Sequence, residues 1–144
     1  MNVWKHDQRG AVSVEAALLV PVFVLALSVA AAGWRISWAQ TQVRAAAQAA
    51  ARAASTRPDP AQASAAVSAI VRADLKTAGV HCSDMTITDD VTAVALSAGI
   101  PGNVRVGVAC TVRLGDLLVP GLPGSIVVRG DATEAVDTFN KRGR

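Results

Sequence analysis

Val104-Arg105-Val106-Gly107-Val108-Ala109-Cys110-Thr111-Val112-Arg113-Leu114 alternates between large apolar residues and polar or small ones along its whole length. Successive side chains on a strand point to opposite faces. Val104, Val106, Val108, Cys110, Val112 and Leu114 therefore share one face, and Arg105, Gly107, Ala109, Thr111 and Arg113 share the other. The pattern predicts a half-buried strand with one solvated side. Weaker strands are expected at 85–88, 92–97 and 126–133, with turns at Asp89-Asp90 and at Pro101-Gly102. The segment 115–124 is apolar but punctuated by Pro120, Gly121, Pro123 and Gly124, and reads as a loop that either offers a docking surface or folds back over the sheet edge.

Upstream of the strands the period changes. Over 61–78, Val67, Ile70, Val71, Leu75 and Ala78 recur at helical spacing, while Ser64, Ser68, Arg72 and Lys76 lie elsewhere and Gly79 is placed to stop the helix. Pro58-Asp59-Pro60 separates this helix from an earlier one, AQTQVRAAAQAAARAA at 39–54, whose residues strongly favour helix. There Gln40, Arg44, Gln48 and Arg52 form a polar stripe beside Val43, Ala46, Ala47, Ala50 and Ala54. The small-residue stripe admits a close backbone neighbour, from the chain's own domain or from a neighbouring helix; a solvated alanine-rich spacer helix is the alternative. Helices first and short strands after them give an α+β fold. A second helix packs on a small antiparallel sheet, preceded by one long N-terminal helix.

The start of that long helix is of another kind. AALLVPVFVLALSVAAAG at 16–33 carries no charge, and the apolar character reaches back to Ala11, broken only by Ser13 and Glu15. At 1.5 Å per residue, 11–32 spans about 33 Å, enough for a hydrocarbon core. Trp34 and Trp38 follow at i, i+4 spacing, where indoles favour the headgroup level. Three fates fit such a segment: an uncleaved anchor, a signal peptide cut after Ala30-Ala31-Ala32, or a retained helix whose leader, 1–10, is removed. Glu15 bears on the choice, because a carboxylate inside an apolar helix is costly in lipid and tends to be functional. A carboxylate interacting with the helix N-terminus is the alternative, and the two readings are compatible.

The stretch Arg9-Gly10-Ala11-Val12-Ser13-Val14-Glu15-Ala16-Ala17-Leu18-Leu19-Val20-Pro21 resembles the start of TadE-like proteins, minor pilins or pseudopilins of tight-adherence pili. The resemblance implies prepilin-peptidase cleavage between Gly10 and Ala11, with Glu15 as the fifth mature residue and Pro21 as the helix proline. It further implies other pilins, membrane lipid and an inner-membrane assembly platform as partners, and an amino group on Ala11 able to pair with a neighbour's Glu15. The Pro/Gly-rich loop at 115–124 also resembles one in that family. On this reading the chain comprises a leader at 1–10, a transmembrane and extended helix at 11–56, and a small extracytoplasmic domain at 61–144. Lys5 and Arg9 before the helix face Arg35, Arg44 and Arg52 after it, so a bare positive-inside count favours the reverse topology. The N-terminus is nevertheless placed in the cytoplasm, because long C-terminal domains translocate largely regardless of charge and the family implies the same.

Composition agrees with an anchor joined to a modest domain. Hydrophobic residues make up 51% of the 144 but aromatics only 3%, so alanine supplies much of the total and adds little core volume. The net charge of +3 comes from basic residues scattered along the chain, with a cluster only at Lys141, Arg142 and Arg144, and no nucleic-acid motif accompanies them. Cys82 and Cys110, on the side taken as external, are expected to form a disulfide. His81 and Cys82 lack further ligands at metal-binding spacing, so no metal and no cofactor is expected. No nucleophile or nucleotide-binding signature is present, and the chain reads as non-enzymatic. The rivals to the pilin reading are an exported soluble binding protein released after Ala32 and a simple single-pass membrane protein.

Overall fold

The computed structural model describes residues 9–97, 99–117 and 123–136, with side chains from 17 onward except at 116 and 117. In order it comprises α1 (Arg9–Ser55), α2 (Pro60–Thr77), β1 (Asp84–Asp90), a 3-10 turn (Thr92–Ala95), β2 (Asn103–Arg113), a one-turn α3 (Leu114–Leu117) and β3 (Ser125–Ala135). This is the α+β arrangement: a long helix, a second helix and a three-stranded antiparallel sheet of order β1-β2-β3. The chain divides into two compact units, Met1–Trp34 and Arg35–Arg144, with the boundary inside α1.

In the first unit no described side chain of α1 is buried. Its most apolar window has a mean hydropathy of 2.2 and none of it is buried, whereas the core helix of a soluble domain would be covered. By length and composition the helix can cross a membrane. Pro21 sits inside it. Proline has no N–H, so the carbonyl of Ala17 loses its usual i+4 donor. Ser28 remains compatible with apolar surroundings because its hydroxyl donates to the Val24 carbonyl at 2.8 Å.

The second unit is built on β2. Val104, Val106, Val108, Cys110 and Val112 are all buried, and the residues between them face outward or are half-buried. Against this inner face lies the last part of α1, where Ala39, Val43, Ala46, Ala47, Ala50, Ala51 and Ala54 are buried. The alanine stripe thus serves the chain's own sheet. Gly130 of β3 shows how close the approach is: a Cβ there would meet Arg44 Cα at 2.6 Å and Val43 C at 2.8 Å. Gln40 Nε2 donates to the Arg129 carbonyl at 3.1 Å, and Arg52 pairs with Glu134 at 3.6 Å. Residue numbers rise together along these contacts, so α1 runs parallel to β3. Twelve helical residues rise about 18 Å and five strand residues about 17 Å, which keeps the two in step. The exposed Arg52–Glu134 pair adds little, at most about 1 kcal/mol.

α2 buries Ala63, Val67, Val71 and Leu75, one residue per turn. It starts at Pro60, where proline's missing N–H costs nothing, and the Asp59 carboxylate accepts from the Gln62 N–H at 2.8 Å. It stops as expected at Gly79, which takes φ +70° while the Val80 N–H returns to the Leu75 carbonyl. Asp59→Ala should lower the unfolding free energy by about 1 kcal/mol, checked by urea titration. An unchanged midpoint would mean that Pro60 alone sets the helix start.

Two local expectations are corrected. The segment 92–97 is not a strand but a 3-10 turn at Thr92–Ala95, and Asp89-Asp90 is not a turn but the end of β1, paired with Val106 and Arg105. The reason lies in Asp90. Its carboxylate accepts from both the backbone N–H and the hydroxyl of Thr92, at 3.3 and 2.7 Å, and so forces the chain to turn one residue later. These two hydrogen bonds also hold the Asp90 pKa below its ordinary value. Neighbouring Ala93 and Val94 are both buried, as a turn allows and an alternating strand does not. In the expected loop at 115–124, the first residues instead complete α3; 118–122 lie outside the described residues.

Candidate processing and assembly site

Gly10, Ala11 and Glu15 all lie on α1, within its first two turns. Their backbone is helical, and the peptide bond between Gly10 and Ala11 falls one residue inside the helix start at Arg9. Residues 1–8 of the expected leader lie outside the described residues. From Ala17 on, the helix presents exposed Leu18, Leu19, Val20, Val22, Phe23, Val24, Leu25, Leu27 and Val29 on every side. A surface apolar all round belongs in lipid or among other apolar helices.

Unit 2 carries the other residue pair singled out from the sequence. The structure joins Cys82 and Cys110 in a disulfide with the Cα atoms 5.3 Å apart, bridging the segment before β1 to the middle of β2. Cys110 is fully buried and Cys82 half-buried. Neighbouring His81 is exposed, and among the described residues no group of three or more His, Cys, Asp or Glu could hold a metal ion. Two shallow depressions mark the surface of unit 2. One, of about 260 Å³, is lined by Arg72, Leu75, Lys76, Val80, His81, Cys82 and Met85. The other, of about 310 Å³, lies at the opposite end of β1 around Gly107, Asp131, Asp89 and Asp90.

Residues 10–52 match the family described as TadE-like protein. The match begins at Gly10, takes in Glu15 and Pro21, and ends at Arg52, three residues before α1 ends. The TadE-like signal is therefore a property of this one helix, including the alanine-rich part that packs on the sheet; α2 and the strands fall outside it. The matched segment contains the stretch that is long and apolar enough to cross a membrane. No curated protein and no solved structure matches the chain.

Sequence reasoning missed Gly130. Its signal was available: a glycine inside a strand pattern marks a close backbone approach. What no pattern could supply was the identity of the approaching segment.

Proposed function

We propose that this chain is a non-enzymatic minor pilin or pseudopilin of a Tad-type pilus, cut by a prepilin peptidase between Gly10 and Ala11. The observation that carries the reading is a family match that starts at Gly10 and takes in an apolar window of membrane-spanning character, none of which is buried. Before assembly the apolar helix resides in the inner membrane, N-terminus in the cytoplasm and unit 2 outside. Cleavage frees the Ala11 amino group, which pairs with Glu15 of a neighbouring pilin and compensates a carboxylate otherwise costly in lipid. An assembly platform then moves the helix from lipid into or onto a fibre, exchanging one apolar environment for another.

The packing limits which faces serve assembly. The alanine stripe is occupied by the sheet, so contacts with neighbours fall to the apolar helix and to the outward residues of 35–55, among them Arg44, Ala45, Gln48 and Ala49.

Intact mass of the protein from its native membrane tests the processing step. An N-terminus at Ala11 is expected; one at Met1 or Gly33 would reject it in favour of a plain anchor or of signal-peptidase release. Glu15→Ala should leave membrane insertion intact and abolish most pilus assembly, read by counting fibres. Normal piliation in that variant would remove Glu15 from the mechanism.

A further inference from the structure

The two cysteines of unit 2 are joined, yet their sulfurs have unequal access. Cys110 is fully buried on the inner face of β2, between Val108 and Val112 and opposite Val128. Cys82 is half-buried and lines the open depression shared with Leu75, Val80 and Met85. It stands between exposed His81 and exposed Ser83, in the irregular segment before β1. The charges on the flanking elements nearly balance, Arg72 and Lys76 against Asp74 and Asp84, so access rather than field sets the two cysteines apart. Hydrogen bonds on both sides of Cys82 fix its place. The Ser83 N–H and hydroxyl both donate to the Thr111 carbonyl, at 2.8 and 3.0 Å, which ties the residue after Cys82 to the residue after Cys110. Met85 then stands opposite Cys110 in the β1–β2 ladder. On the other side the Val80 N–H returns to the Leu75 carbonyl at 2.9 Å, holding the segment to the end of α2.

We propose that the bridge is made in the already folded unit by thiol–disulfide exchange that enters at Cys82, with Cys110 as the resolving thiol and an external disulfide as the oxidant. In the first step the Cys82 thiol gives its proton to solvent and its sulfur attacks one sulfur of the oxidant. The oxidant's sulfur–sulfur bond breaks, a mixed disulfide forms on Cys82, and one oxidant thiolate leaves into the open depression and is protonated there. In the second step Cys110 loses its proton and attacks Cys82 Sγ, expelling the other oxidant thiolate. The two cysteine thiols together lose two electrons, and the oxidant gains them and leaves as two thiols. The opposite order fails on access. An oxidant attacked first by Cys110 would have to enter the packed valine face of the sheet, where a thiolate is also poorly solvated. Cys110 has to reach only Cys82 Sγ, and the ties through Ser83, Met85 and Val80 hold Cys82 beside it before the sulfurs are joined.

The test uses the full chain in detergent micelles, with glutathione disulfide as the oxidant and mass spectrometry to follow the adducts. Cys82 in the variant Cys110→Ala is expected to take up glutathione more than about tenfold faster than Cys110 in Cys82→Ala, as accessible thiols outpace buried ones. Concentrated urea should close the gap by exposing Cys110. Reduced wild type should pass through an adduct on Cys82 alone before the bridge closes, and should keep a thermal unfolding transition throughout. Equal rates in the two variants under native conditions, with that transition retained, overturn the order of attack. A Cys110 that reacts as fast in buffer as in urea, in a reduced chain without an unfolding transition, overturns closure in the folded unit and makes the bridge precede the fold. A first adduct on Cys110 of the wild type overturns the entry at Cys82 outright.

Discussion

Replacing Gly130 by alanine should destabilise unit 2 by about 3 kcal/mol, the upper part of the range for forcing an extra methyl into a packed core. Gly130 is buried, pairs with Val108 across the sheet, and carries α1 directly on its Cα. The added Cβ would stand 2.6 Å from Arg44 Cα, 2.7 Å from Arg44 N and 2.8 Å from Val43 C. These are backbone atoms of a helix and cannot rotate away. The helix must lift as a body, and every alanine on its buried face then loses dispersion contacts at once. Gly107→Ala is the control, one residue away across the β2–β3 ladder but on the outer face. Its Cβ would meet Thr88 Oγ1 at 2.6 Å and Asp131 Oδ1 at 3.2 Å, side-chain atoms rather than backbone, with the Thr88 hydroxyl giving up its hydrogen bond to the Gly107 carbonyl. That substitution should cost less than about 1 kcal/mol. Thermal unfolding of the two variants should differ by roughly 10 °C. Equal midpoints would mean that α1 is not seated on β3 as described.

The contrast between these glycines shows where sequence reading stops. Alternation at 104–114 specified which side of β2 is buried, because a period of two has only two phases and valine on one of them decides between them. The stripe of Val43, Ala46, Ala47, Ala50 and Ala54 was legible for a similar reason, as was the stop at Gly79. None of these needed a partner to be known. Asp90 is the opposite case: its carboxylate ends the strand through Thr92, and that local competition outweighs the β-favouring residues that follow. For the processing site the balance reverses. Gly10 and Glu15 were read from a motif, and the structure adds that both lie on a continuous helix.

Removing Cys82 is expected to cost as much as the glycine substitution, by acting on the unfolded chain rather than on the core. The bridge spans 28 residues of sequence, and closing such a loop in the denatured ensemble removes entropy worth about 3–4 kcal/mol at 25 °C. In Cys82→Ala the remaining thiol of Cys110 stays buried on the inner face of β2 opposite Val128, where it packs as a small hydrophobe. That variant therefore isolates the cross-link. Cys110→Ser loses the same cross-link and also buries a hydroxyl among valines, adding about 1–3 kcal/mol if it finds no partner. Urea unfolding should rank wild type above Cys82→Ala and Cys82→Ala above Cys110→Ser. Reduced wild type should coincide with Cys82→Ala. The ranking matters because a core of valine and alanine offers little volume per side chain, so the cross-link supplies a large share of a margin that is commonly about 5–15 kcal/mol. If Cys82→Ala unfolds at the wild-type midpoint, the stability of unit 2 comes from packing alone and the bridge is dispensable to it.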